Sequence, residues 1–134
     1  MSELYNVAGV SNPSALLADP TGAEKIAVSV KPGVGAIARG TVLYRNGSLY
    51  EAADSAALIA TNYLVVLDEA IDSPTEEKTA PVAAAYRAGR LIYGLVKLKD
   101  GTAVTAAQAL ILRNQGIVLD QMAETAPEVT NTIS

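Results

Sequence analysis

The sequence predicts a mainly β domain (α+β) with one short helix. Three observations carry this prediction. Residues 40–53, GTVLYRNGSLYEAA, read as a β-hairpin, with Asn-Gly between two apolar-rich runs. Further β-type runs stand at 63–67, YLVVL, and 90–98, RLIYGLVKL. Helical start and stop signals coincide best in 105–116, TAAQALILRNQG.

Taken in order, residues 1–24 read as an N-terminal arm. The stretch SNPSALLADPTGAE holds two Pro, a Gly and small polar residues without a sustained period. Apolar beads nevertheless punctuate the arm at Tyr5, Val7, Val10, Leu16 and Leu17, and a solvated spacer has little use for them. These five are the candidate partner-binding residues. Such an arm either packs on its own domain or frays, or, in the functional reading, orders against another protein by adding a strand to an exposed sheet edge. The β-rich domain is then expected over 25–122, with a polar tail at 123–134.

KIAVSV, 25–30, is a short strand with alternating character. KPGVG follows as a turn, where Pro32 sets φ and Gly33 permits a positive one. Gly33, Gly35 and Gly40 fit neither the dinucleotide fingerprint nor a Walker A loop, and a strand rather than a helix follows them. Gly33 and Gly40 are therefore read as turn residues.

In the hairpin, Asn46 and Gly47 are the preferred pair for a two-residue type I′ turn. That turn sets Arg45 opposite Ser48, Tyr44 opposite Leu49, Leu43 opposite Tyr50 and Val42 opposite Glu51. One face then carries Val42, Tyr44 and Leu49, with Glu51 at its end, and the other Leu43, Tyr50 and Ala52. Both faces are apolar. The pattern recurs in 90–98, and YLVVL is apolar throughout. Strands buried on both faces usually belong to α/β proteins, which this chain is too poor in helices to be. Two solutions remain: a small barrel with something packed outside it, or strands covered by neighbouring copies. The second is favoured here.

PVAAAYRAGRLIYGLVKL reads as a second hairpin turning at Gly89, after an acidic, solvated loop at 68–81. Thr105 caps the helix and Gln108 completes a capping box. Gly116 suits the left-handed end, from which Ile117 folds back onto Leu112. GIVLDQM, 116–122, returns as a strand.

Composition narrows the function. The chain has no Cys and no His. That removes thiol nucleophiles, Ser-His triads, zinc fingers and most transition-metal sites. The net charge is −4 and the basic residues are scattered, which argues against nucleic acid. No apolar run reaches the length of a membrane helix, and the N-terminus lacks signal-peptide character. A soluble product made in the cytoplasm is expected. The five acids of 68–81 do not follow EF-hand spacing. No catalytic set, cofactor site or metal site emerges, so a non-enzymatic protein is expected.

The order of signals over about residues 34–119 resembles the head decoration proteins of tailed bacteriophages, of the phage lambda type. The resemblance rests on AIARGTVLYRNGSLYEAA, YLVVLDEAID, APVAAAYRAGRLIYGLVKL and LRNQGIVL. The base domain of phage head-fibre proteins is similar in the same way. The acidic loop is longer than in that pattern, and YLVVLDEA stands where a Gly-centred turn is common. The resemblance implies a small β-barrel-like (β-tulip) domain that forms a homotrimer on the outer surface of the expanded capsid. It also implies an arm that contacts the major capsid protein, and a cementing role in the virion. The alternatives are a fibre-base or attachment module, which the short segment after GIVL disfavours, and a tail or baseplate component.

Overall fold

A computed structural model describes residues 16–120 of the chain. The described body is mainly β. Its strands are β1 (Leu17–Ser29), β2 (Gly35–Ile37), β3 (Val42–Asn46), β4 (Leu49–Ala52), β5 (Leu64–Leu67), β6 (Ile71–Ser73), β7 (Val82–Ile92) and β8 (Ile117–Asp120). A single turn of 3-10 helix, Tyr93–Leu95, and the helix α1, Ala106–Asn114, complete it.

The main sheet runs β1-β7-β5-β3-β4, and β8 pairs in parallel with the C-terminal half of β7. The sheet curls until its two ends meet at one bridge, Val30 to Tyr50, where the Lys31 amide donates to the Tyr50 carbonyl (2.9 Å). It is not a closed barrel. A separate two-stranded ribbon, β2 with β6, lies over the inside of the curl.

Both faces of the sheet are apolar, as the sequence predicts, and the described chain covers both. The inner cluster joins Val28, Val30, Leu43, Tyr50, Val65, Leu67 and Ala85 to Ile37, with Ile71 packed against them. The outer cluster joins Val42, Leu64, Val66 and Tyr86 to Leu58, Leu91, Val96, Val104, Leu112 and Ile117. β5 is buried at all four residues because it lies between these two clusters. Cover that the sequence analysis assigns to neighbouring copies is thus supplied by the ribbon on one side. On the other it comes from α1 and the 93–104 segment.

Three local expectations are corrected. The hairpin register places Asn46 opposite Leu49 and Leu43 opposite Ala52, so Gly47 and Ser48 form the loop, with Gly47 at φ 70°. Asn46 stays in the strand, where its side-chain amide donates to Glu51 Oε2 (2.9 Å). The slip is by two residues in the partner, so face assignments survive. Gly89 is not a turn, because Val82–Ile92 is one strand. Its φ of 140° accompanies the change of neighbour from β5 to β8, and a Cβ there would sit 3.2 Å from Ala23 Cα. Finally, the loop at 68–81 is not wholly solvated: Ile71–Ser73 pairs with β2, and Asp68 is buried.

Other expectations agree. Gln108 N donates to Thr105 Oγ1 (3.2 Å) and Thr105 N to Gln108 Oε1 (2.9 Å), the reciprocal pair of a capping box. Gly33, Gly40 and Gly116 all have positive φ. Gly40 is the most constrained, since a Cβ would sit 2.3 Å from the Leu95 carbonyl oxygen.

Candidate functional site

Two features gather polar side chains around the curl. The first is an ion-pair cluster at its end. Asp68 follows β5, and its carboxylate is buried. It accepts from Lys25 Nζ (3.0 Å) and from Arg39 Nη2 and Nε (2.8 and 3.1 Å). The cluster therefore ties β1 and the 38–40 loop to the end of β5. A buried carboxylate needs such partners, because water cannot solvate it. The hydrogen bond to Asp68 raises the Lys25 pKa above its ordinary value. The Lys25 ammonium also lies 5.6 Å from the Tyr86 ring centroid, and burial raises the Tyr86 pKa. The arrangement fastens three segments of the body to one another.

The second feature is a cleft of about 510 Å³ between β2 with its flanking residues, the edge strand β4 and the 97–101 segment. Its apolar lining includes Val30, Val34, Ile37, Tyr50 and Leu98, and Lys31, Arg39, Lys97 and Lys99 also line it, beside the single acid Glu51. Arg39 is engaged by Asp68. Among the described residues, no carboxylate pairs with Lys31, Lys97 or Lys99. In a chain of net charge −4, this is a local concentration of positive charge. The cleft suits an anionic, partly apolar occupant. No group of acids that could hold a metal occurs among the described residues.

Of the five expected partner-binding residues, Tyr5, Val7 and Val10 lie outside the described residues. Leu16 and Leu17 belong to the body. Leu16 is 3% exposed and part of the outer cluster, and its carbonyl accepts from Ile92 N (2.8 Å). One of its methyls lies 3.6 Å from where a Cβ on Gly40 would be. β1 starts at the next residue, so the strand reaches well into the segment the sequence analysis reads as arm. It pairs with β7 through register shifts between Leu17 and Lys25. Those irregularities hide its alternation from the sequence.

The cleft and the ion pairs escape sequence reasoning because their members lie far apart along the chain. One signal was present: Lys97 and Lys99 are two apart, the spacing that puts side chains on one side of an extended segment. Neither a protein-family model nor a curated protein sequence matches the chain.

Proposed function

We propose that this chain is a capsid decoration protein of the phage lambda type. In this reading it is a non-enzymatic homotrimer on the outside of the expanded head, where it stabilises contacts between capsomers and binds the major capsid protein. The open, curled sheet is then the β-tulip body.

The observation that carries the reading is the position of β1. It is an edge strand of a self-covered β body, it is 13 residues long, and it follows directly on the segment holding Tyr5, Val7 and Val10. A segment leading straight into an edge strand is suited to carry apolar side chains to a partner's surface. Three such segments on one trimer would act together, so weak contacts become a firm hold. The four resembling blocks also fall on the body's working parts: β3–β4, β5–β6, β7 and α1–β8.

Because Leu16 is core, the decisive truncation removes residues 2–15 and no more. The shortened chain is expected to keep its fold and lose binding to expanded capsids in cosedimentation. Unchanged affinity after truncation would overturn the arm mechanism.

A further inference from the structure

Most of the unpaired charges of the described body fall into two neighbouring groups; Lys78, beside Glu77 in the acidic turn, and Arg113, on α1, stand apart from that division. Asp72, Glu76 and Glu77 are the described carboxylates with neither a hydrogen bond nor an ion pair among the described residues. All three are exposed, in the stretch running from β6 into the next turn. The described cations left in the same condition are Lys31, Lys78, Lys97, Lys99 and Arg113. Lys31, Lys97 and Lys99 line the cleft, together with the exposed Val34.

The acidic turn is held in place. The Glu77 amide donates to the Pro74 carbonyl (2.8 Å), and the Gly33 amide donates to Ser73 Oγ (2.7 Å). The Thr75 carbonyl oxygen packs against Gly33, 3.1 Å from where its Cβ would be. Gly33 sits between Lys31 and Val34, so the turn borders the cleft. A prearranged anionic projection and a prearranged cationic recess thus lie side by side on one surface.

We infer that the acidic turn of one copy seats over the lysine-lined cleft of a second copy. The inference rests on the assembly reading above only in taking the partner to be this same chain. Contacts of this kind are heterologous, and they form closed rings when the rotation allows it. Exposed ion pairs are individually weak. The recess adds apolar burial on the exposed Val34, and a ring repeats each contact once per copy.

The test is sedimentation velocity on the full chain at about 0.05 M and about 0.5 M salt, since screening weakens such contacts. The variants are K97E/K99E, E76K/E77K and their equimolar mixture. The wild type should self-associate, and more tightly at low salt. Each variant alone should associate at least about tenfold more weakly, and the mixture should recover hetero-association. If a reversed pair unfolds by circular dichroism, K97Q/K99Q and E76Q/E77Q replace it, with weakened association expected from each. Association that both variants leave unchanged, or a wild type that stays monomeric at low salt, would overturn the inference. The decoration reading fails by a different route, through absence of capsid binding, so the two failures are distinguishable.

Discussion

Leu16→Ala tests where the folded body begins. Leu16 is 3% exposed and packs in the outer cluster beside Gly40. The substitution removes three buried carbons and leaves a void. Leu→Ala in a core costs on the order of 2–5 kcal/mol, depending on how far the site collapses. Leu16 stands at the edge of the cluster, where relaxation is easier, so about 2–3 kcal/mol is expected. For a body of this size that lowers Tm by roughly 10 °C. Leu17→Ala, at a half-buried position, should cost about 1 kcal/mol. Urea unfolding followed by circular dichroism measures both. A Leu16→Ala effect within about 0.5 kcal/mol of zero, the usual surface figure, would refute the assignment. The body would then begin nearer residue 25, as the sequence pattern suggests.

Further outcomes follow from the geometry. Gly40→Ala should cost roughly 3 kcal/mol or more, because φ is +95° and the new Cβ falls 2.3 Å from the Leu95 oxygen. Gly47→Ala, at φ +70° in open space, should cost only about 1 kcal/mol, and equal urea midpoints for the two would remove the collision argument. Asp68→Asn should cost about 2 kcal/mol, less than a fully buried pair, because Lys25 and Arg39 are partly exposed and can rehydrate. Lys25→Met should cost much less, and equal effects would contradict the central role of the carboxylate. Stability should also fall in alkali. Lys25, Tyr44, Tyr50 and Tyr86 all have raised pKa values in the folded state: Lys25 chiefly by its bond to Asp68, the tyrosines chiefly by burial. Each contribution is complete below the unfolded pKa, near 10, and is lost as pH rises through the higher folded value. Urea midpoints should therefore hold level up to about pH 9.5 and drop above it, with a smaller drop in Tyr86→Phe.

The parts of the fold that depend on neighbours in sequence are legible from the sequence. Thr105 and Gln108 announce the helix start because a capping box is made of residues three apart. The hairpin is legible for the same reason, and its two-faced character survives the register slip. The slip keeps Asn46 in the strand, where its side-chain amide donates to Glu51 across the hairpin. Gly89 misleads because glycine serves turns and close approaches alike, and Ala23, which approaches it, lies far off along the chain. Asp68 looks like one more loop acid until Lys25 and Arg39 are brought to it. Gln115 shows the same limit: its side chain bonds Leu64 N (3.0 Å) and the Asn62 carbonyl (2.7 Å), fastening the end of α1 to β5. The cover of the second sheet face was the least legible feature. A three-residue ribbon such as β2 with β6 has no periodicity to detect, yet it supplies Ile37 and Ile71 to the inner cluster. Support for the proposed assembly accordingly lies on the surface, at the β1 edge and the lysine-lined cleft, rather than in the strands.

Cosedimentation of the full chain with expanded and unexpanded capsids of the phage proposed to encode it tests the proposed decoration role most directly. Saturable pelleting with expanded heads, and none with unexpanded ones, is the predicted result. A chain that stays in the supernatant with both, or pellets equally with both, would contradict it.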